Sequence, residues 1–297
     1  MIPRTRVQWY AHDSGVALEI AEREIVLTYV LCCLDGAGLL GGLAFKGGTA
    51  IRKLYLGTAG RFSLDLDFTA TRDVDPQDLM LRLASSMDGQ TFHGISFAVQ
   101  PAAYWATPDS CGVEVTYGHE WLTDARFRLE VSCRSLPLIP PRPADLAPQR
   151  YFQWMEIAPC KVPALDLHEV IGEKIRAAVQ RTRVRDVYDL YQFADKPYDR
   201  EVVRRIAVLK CWETRYAFDP AAFLRHVAHA RYEWSDLRRL VPQAALPRPD
   251  DTIGSVQVGY AFLAGLQPDE ARLASDPHGR EVELYHRVAD DVRSKFA

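Results

Sequence analysis

The segment RFSLDLDFTA, residues 61–70, alternates apolar and polar side chains and carries Asp65 and Asp67 at successive polar positions. This alternation predicts a β-strand with both aspartates on one face. Same-face residues lie about 6.6 Å apart along a strand, so the two carboxylates can converge on one Mg²⁺ or bridge a pair of ions. Oxygen-ligated Mg²⁺ suits phosphoryl and nucleotidyl transfer. The tripeptide D-x-D is common, and a half-solvated strand face is the alternative interpretation.

A glycine turn lies upstream, where the apolar run LAF leads into Lys46, Gly47, Gly48 and Thr49. We expect a strand, a turn and then a helix from about Thr49. Glycines let the backbone approach a phosphate closely, the first N–H groups of the helix favour anions, and Thr49 adds a hydroxyl. The alternative is an ordinary turn with Thr49 as N-cap. The position of the glycine turn just before the D-x-D strand favours a triphosphate site.

A third carboxylate, Glu130, lies in the alternating segment ARFRLEVSC, residues 125–133. Its polar positions also include Arg126 and Arg128, while the apolar positions face the other way. Glu130 is therefore a candidate third metal ligand or a general base. A cross-strand ion pair with an arginine is the alternative interpretation.

The helical segment LDLHEVIGEKIRAAVQ, residues 165–180, places Lys174 inside its apolar stripe. An ammonium there must either snorkel to solvent or reach into a cleft, where it can meet nucleotide phosphates. Asp186 and Asp189 follow at the opening of the next predicted helix. We assign Asp186 a structural role that complements the helix dipole, and Asp189 a site role orienting Lys174 or the acceptor.

Basic residues cluster around this turn and on the next helical segment, and they form the best candidate surface for a phosphate backbone. They are Arg176, Arg181, Arg183, Arg185, Arg204, Arg205, Lys210 and Arg215. A solvated, salt-bridged helix face is the alternative, because no motif with interleaved aromatic residues supports direct reading of RNA bases.

The composition of the chain excludes several classes of protein. The chain has 297 residues, 48% hydrophobic and 25% charged, which is typical of a globular protein large enough for two domains. A net charge of −3 excludes a globally basic nucleic-acid binder. No signal peptide or apolar run of membrane-spanning length is present, so we expect a cytoplasmic protein without membrane contact. The 6 cysteines lack metal spacing and are interpreted as reduced packing residues. No H-E-x-x-H or G-x-S-x-G motif supports a hydrolase.

The elements that must position these residues predict an α/β (α+β) fold with a mixed sheet, followed by a mainly helical half. A helix is expected over about Val16–Leu34 and a strand over Leu43–Lys46. The proline-rich segment from Ser135 to Pro148 is interpreted as the connection, giving domains 1–148 and 149–297. One further strand is expected in FQWMEIAP, residues 152–159, before the helices begin.

Three blocks of the sequence resemble a known family. They are FKGGTAIRKLY from Phe45, RFSLDLDF from Arg61, and LHEVIGEKIRAAVQRTRVRDVYDLYQF from Leu167. In order and interval they are similar to the AbiEii/AbiGii nucleotidyltransferase toxins, which include the MenT-type toxins of toxin–antitoxin systems. The resemblance implies a DNA polymerase β-like nucleotidyltransferase domain followed by a helical domain.

Carried over by position, the family's turn falls on Gly47, Gly48 and Thr49, with Lys46 before it as in some relatives. The metal aspartates fall on Asp65 and Asp67, and the helical lysine and aspartate on Lys174 and Asp189. Leu64 stands where the family often has an acidic residue, and Thr49 where many nucleotidyltransferases have serine. These two differences leave the metal ligands unchanged, but they can alter how the substrate is positioned.

The resemblance also implies the activity. The expected reaction is Mg²⁺-dependent transfer of nucleotides from an NTP to an RNA acceptor, the tRNA 3′ end, which blocks translation; Mn²⁺ is the alternative metal. A cognate antitoxin is the expected protein partner. Two alternatives stay open: nucleotidylation or phosphorylation of a protein or small molecule, and a regulator that binds nucleotide without turnover.

Overall fold

The computed structural model describes residues 2–100 and 102–296, which divide into two compact units. The first unit comprises Met1–Pro137, Pro141–Leu165 and Arg239–Ala244, and the second comprises Leu138–Pro140, Asp166–Arg238 and Ala245–Ala297. The predicted domain boundary after residue 148 stays a prediction. Residues 149–165 and 239–244 belong to the first compact unit, although they follow that boundary.

The first unit contains four α-helices and, in the described part of the chain, a nine-stranded mixed sheet. The helices are α1 (Arg4–Ser14), α2 (Leu18–Gly36), α3 (Gly47–Ala50) and α4 (Pro76–Met87). The strands are β1 (Leu43–Lys46), β2 (Leu66–Ala70), β3 (Thr91–Phe92), β4 (Ile95–Ala98), β5 (Tyr104–Thr107), β6 (Ser110–His119), β7 (Leu122–Ser132), β8 (Arg142–Asp145) and β9 (Lys161–Ala164). The predicted mixed sheet is confirmed.

The sheet order is β3-β4-β6-β7-β2-β1-β9-β8, with β5 paired to β6. The pairing of β2 with β7 and of β1 with β9 is parallel, and β1 runs antiparallel to β2. This order places β1, β2 and β7 side by side, so the glycine turn, the D-x-D segment and the Glu130 strand become neighbours.

The core of the first unit lies between α2 and the sheet. Nearly every turn of α2 is apolar, and its residues are buried on most faces. Phe45 of β1 and Phe68 of β2, opposite each other in the register, stack with ring centroids 5.3 Å apart. These contacts fix β1 and β2 against each other at the positions next to Lys46 and Asp67.

The second unit is helical. Its helices are α5 (Leu167–Gln180), α6 (Val184–Phe193), α7 (Arg200–Glu213), α8 (Pro220–His229), α9 (Ser235–Arg238), α10 (Pro249–Gly259), α11 (Pro268–Ala274) and α12 (Val282–Ser294). The predicted helix around Lys174 and the helix opening near Asp186 are both confirmed. Gly172 lets α5 approach α7 closely, because an added Cβ would lie 2.5 Å from Ile206 Cγ2. Among the described residues, no helix is both long and apolar enough to cross a bilayer.

The predicted strand over residues 152–159 is absent. Residues 152–159 contain no strand: Arg150–Trp154 is a 3₁₀-helix, which buries Tyr151 in a polar cluster of the first unit. The proline-rich segment contains β8, which forms around Pro143 at the edge of the sheet. A strand at the sheet edge tolerates proline, since one side of its backbone needs no partner.

Candidate functional site

Three neighbouring strands bring Lys46, Asp67 and Glu130 into one row. Lys46 of β1 lies opposite Asp67 of β2, and Asp67 lies opposite Glu130 of β7. Asp67 is half-buried and Glu130 is exposed. Residues directly opposite on adjacent strands share a face of the sheet, so one basic and two acidic side chains stand together.

The glycine turn meets the D-x-D segment at Asp67. Gly47 has a φ of 76°, in the left-handed region that favours glycine. A Cβ at this position would lie 2.2 Å from Asp67 Oδ2, so only a residue without a side chain leaves room for the carboxylate. The turn and the first candidate metal ligand are therefore one structural unit.

Asp65 lies outside the strand. The predicted strand ran from Phe62, whereas β2 begins at Leu66 and Asp65 occupies the bend before it. The prediction of a shared strand face is therefore wrong for Asp65. The physical reason is that this segment makes its hydrogen bonds elsewhere: Phe62 N–H donates to the Leu240 carbonyl over 2.8 Å, and the Asp65 carbonyl accepts a hydrogen bond from the Thr49 hydroxyl.

The Asp65 carboxylate is oriented by β7, because the Arg128 N–H donates to Asp65 Oδ1 over 3.3 Å. Thr49 is fully buried, and its bond to the Asp65 carbonyl fixes α3 to the D-x-D segment. The interpretation of Thr49 as an N-cap is wrong, since α3 begins at Gly47 with Lys46 as its N-cap. Thr49 thus positions Asp65 through the backbone.

Arg61 and Ser63 adjoin Gly48, which sequence reasoning missed. A Cβ on Gly48 would lie 2.5 Å from Arg61 Nη2 and 3.0 Å from Ser63 Oγ. Both side chains are buried, and Arg61 Nη1 donates to the Phe62 carbonyl over 3.2 Å. The signal was present in the sequence, since both residues precede Asp65 on alternate positions of the same segment.

A cluster of buried charged side chains lies on the helical segment that follows the glycine turn. Sequence reasoning did not predict this cluster. α3 continues as a π-helix over Ile51–Leu56, which carries Arg52 and Lys53. Lys53 Nζ lies 2.9 Å from Glu24 Oε1 and donates to Thr28 Oγ1 over 2.8 Å and to the Tyr151 hydroxyl over 3.2 Å. These side chains are almost completely buried. The sequence feature that could have revealed this cluster is Glu24, an acidic residue inside the apolar helix α2.

Arg52 shares the same carboxylate, with its Nε 3.4 Å from Glu24 Oε1. Its guanidinium carbon lies 3.7 Å from the centroid of the Phe62 ring, a cation–π contact. Burial raises the pKa of Glu24, but the charges of Lys53 and Arg52 outweigh it and lower the pKa below its usual value. The pKa of Lys53 is lowered, because burial exceeds the attraction of Glu24.

Asp65 and Asp67 are the two candidate ligands for a divalent metal. Two carboxylates complemented by substrate phosphates are a common arrangement for Mg²⁺ in nucleotide enzymes. Among residues 2–100 and 102–296, no group of three or more His, Cys, Asp or Glu side chains is arranged to hold a metal ion. The participation of Glu130 as a third ligand stays a prediction, and Arg126 and Arg128 pair with Glu114 rather than with it.

In the second unit, Lys174 lies between two carboxylates. Its Nζ is 2.8 Å from Asp189 Oδ2 and 3.1 Å from Asp186 Oδ1, and its side chain is 12% exposed. Asp186 and Asp189 are themselves buried. Lys174 therefore forms ion pairs inside the unit instead of extending into solvent, and the site role of Asp189 stays a prediction.

Asp186 does more than complement the helix dipole, contrary to the prediction. Besides Lys174 it binds Arg181, whose Nε lies 2.8 Å from Asp186 Oδ2. Burial raises the pKa of Asp186, but the charge of Lys174 and the hydrogen bond from Arg181 lower it far below its usual range. Asp186 is therefore an anion that holds two cations.

The predicted phosphate-backbone surface is largely occupied by intramolecular contacts. The ion pairs are Arg181 with Asp186, Arg204 and Arg205 with Glu270, and Lys210 with Glu169 and Glu213. Arg176 donates to Gln180 over 2.6 Å, and Arg215 lies over the Trp212 ring. Salt bridges therefore account for Arg181, Arg204, Arg205 and Lys210, and other intramolecular contacts for Arg176 and Arg215. Arg183 is exposed and Arg185 is half-buried.

The structure thus brings the candidate residues together in two groups. Lys46, the glycine turn, both aspartates and Glu130 gather in the first unit, and Lys174 with Asp189 in the second. Each group combines charges suited to metal or phosphate.

Comparison with known proteins agrees with this chemistry. The model of one family, described as nucleotidyl transferase AbiEii toxin, type IV TA system, matches residues 29–253. Among solved structures, MenT4, a nucleotidyltransferase toxin from Mycobacterium tuberculosis H37Rv, is 26% identical with a TM-score of 0.81, covering 99% of this chain and 100% of that one. No curated protein gives a significant match. Because the family matches most of its length, this chain belongs to the AbiEii nucleotidyltransferase toxins of type IV toxin–antitoxin systems.

Proposed function

We propose that this nucleotidyltransferase moves a nucleotidyl group from an NTP to the 3′ end of tRNA in a reaction that requires Mg²⁺. The close approach of Gly47 to the Asp67 carboxylate carries the proposal, because it joins a phosphate-binding turn to a metal ligand. The tRNA acceptor rests on the resemblance of the sequence blocks to the toxin family. Blocked translation is then the expected toxic effect.

Asp65 and Asp67 are the residues that would hold the metal. When bound, Mg²⁺ neutralises the triphosphate and activates the acceptor hydroxyl. Backbone N–H groups of Gly47 and Gly48 and the ammonium of Lys46 would bind triphosphate oxygens. The acceptor oxygen forms a bond to the α-phosphorus, the bond to the β-phosphate breaks, and pyrophosphate leaves.

Glu130 and Lys174 are the remaining residues with a proposed role in the reaction. Glu130, exposed and in register with Asp67, is suited to accept the proton of the acceptor hydroxyl or to join the metal ligands. Lys174 would bind phosphate as a point charge, and Asp189 would orient it. Family membership implies a cognate antitoxin as the protein partner.

The test is incubation of the protein with total tRNA, Mg²⁺ and each labelled NTP in turn, beside Asp67→Asn. We expect label on tRNA with at least one NTP, about 10³-fold less for the variant, and none after chelation of the metal. Asp124→Asn is a matched control on an exposed position of β7 and should retain activity. Full activity of Asp67→Asn would overturn the metal assignment.

A protein or small molecule is the second candidate acceptor. The observation that favours it is the use of most of the basic surface for intramolecular pairs, which leaves fewer cations for an RNA backbone. Replacing the partly accessible Arg183 and Arg185 by alanine should weaken transfer to tRNA if RNA binds there. If the protein binds nucleotide in a metal-dependent way but labels no tRNA, a protein or small molecule becomes the proposed acceptor in place of tRNA.

A further inference from the structure

Two cysteines of the first unit, distant in sequence, meet in the structure. Cys32 lies in the last turn of α2, and Cys160 directly precedes β9. The Cys160 N–H donates to Cys32 Sγ over 3.3 Å. Both residues are half-buried, so small reagents can approach them. Their spacing of 128 residues concealed this pair from sequence motifs.

The segment that carries Cys160 is held to α2 by three hydrogen bonds, one of which the Cys32 thiol donates to the Ala158 carbonyl over 4.0 Å. The Glu156 N–H donates to the Tyr29 hydroxyl over 3.3 Å, one turn before the contact with Cys32. Such preorganisation matters because a disulfide needs the two Cβ atoms about 3.5–4.5 Å apart, and backbone movement to reach that distance is costly.

We propose that Cys32 and Cys160 form an oxidation site, in which Cys32 reacts with a peroxide and Cys160 resolves the product to an intramolecular disulfide. The Cys32 thiolate attacks one peroxide oxygen, and the O–O bond breaks to give a sulfenic acid and hydroxide, which takes up the proton that the thiol released and becomes water. The Cys160 sulfur then attacks the sulfenic sulfur, its proton leaves with the departing hydroxide as a second water, and the S–S bond forms. Two thiols are oxidised by two electrons, and one peroxide is reduced to two waters.

The roles follow from the surroundings of each sulfur. The hydrogen bond from the Cys160 thiol lowers the pKa of Cys32, the Cys160 N–H adds to this effect, and burial and the charge of Asp35 oppose it. The same hydrogen bond and burial raise the pKa of Cys160. A thiolate is the nucleophile, so Cys32 reacts first.

Cys33 is the natural comparison. It adjoins Cys32 in the chain and is also half-buried, but burial raises its pKa. It therefore shares the exposure of Cys32 without the hydrogen bonds that favour the thiolate. A reaction governed by exposure alone would modify both residues, whereas the proposed site selects Cys32.

The experiment treats the full-length protein, freed of reductant, with a small excess of hydrogen peroxide and maps non-reduced peptides by mass spectrometry. Cys33→Ser should form the disulfide between Cys32 and Cys160 as the wild type does, and Cys32→Ser should not. In Cys160→Ser, a sulfenic-acid probe should label Cys32. The alkylation rate of Cys32 should exceed that of Cys33 by about tenfold, because the thiolate is the reactive form and the pKa of Cys32 is lowered while that of Cys33 is raised.

A linked peptide in Cys32→Ser would show that Cys33 reaches Cys160 and would overturn the assignment. The proposal also fails if wild type yields no linked peptide while Cys32 accumulates as sulfinic acid, because Cys160 would then not resolve it. None of these readouts depends on nucleotide transfer, so the outcome is independent of the proposed function.

Discussion

The two groups of candidate site residues differ in where their charges lie. In the first unit, Asp65 and Asp67 are half-buried, whereas the charges behind the turn, Glu24, Arg52 and Lys53, are fully buried. In the second unit the candidate residue Asp189 is buried and forms an ion pair with Lys174, whose side chain is 12% exposed. The charge of Lys174 is therefore shared with two carboxylates, Asp186 and Asp189, whereas the Asp65 carboxylate accepts a backbone N–H from Arg128.

The largest expected effect tests whether the buried cluster supports the turn. Glu24→Gln leaves Arg52 and Lys53 buried without a carboxylate, and we expect the free energy of unfolding to fall by about 3–5 kcal/mol. Urea denaturation measures the change. Glu19→Gln, on the exposed face of the same helix, should change stability by less than about 0.5 kcal/mol. Equal losses of unfolding free energy in the two variants would mean that the buried carboxylate contributes no more to stability than an exposed one.

The turn itself is tested by Gly47→Ala. The added Cβ requires a strained positive φ and displaces the Asp67 carboxylate, so we expect transfer activity to fall about 100-fold. Gly41→Ala is the control, since its Cβ would meet nothing within 4 Å. Steady-state kinetics with a labelled NTP checks both variants. Unchanged activity of Gly47→Ala would contradict the joint role of the turn and Asp67.

In the second unit, Lys174→Met tests the buried cation. Asp189 loses a partner at 2.8 Å while Asp186 keeps Arg181, so we expect a loss of about 2–3 kcal/mol in unfolding free energy. Lys161→Met removes a mostly exposed ion pair with Asp145 and should cost less than about 1 kcal/mol. Equal losses, measured by denaturation, would mean that burial does not distinguish the two lysines.

The smallest effect concerns acid stability. The folded-state pKa of Asp186 lies far below its unfolded value of about 3.9, so its contribution is complete above that pH and is lost as the pH falls through the folded pKa. Asp186→Asn should reduce the slope of stability against pH below about pH 4 by up to about 1.4 kcal/mol per pH unit. Denaturation between pH 2 and 6 measures it, with exposed Asp124→Asn as control. An unchanged slope would show that Asp186 does not titrate as proposed.

Several local features were predictable from sequence because they depend on periodicity. The β7 alternation around Glu130, the strand over Leu43–Lys46 and the helix around Lys174 follow from spacing that the backbone geometry imposes. The start of β2 was not predictable in this way. Phe62–Asp65 alternate as a strand should, but their backbone partners come from Leu240 and Thr49, and only the folded chain supplies those.

By itself, the sequence determined the residue types of the candidate site and their order, because glycine turns, alternating strands and amphipathic helices are encoded over a few neighbouring residues. The tertiary structure decided which of them meet. Sheet order places Asp67 between Lys46 and Glu130, and Glu24 reaches Lys53 across 29 positions of the chain. Contacts between distant segments depend on how the whole core packs, and burial then determines which charges must be paired inside the protein.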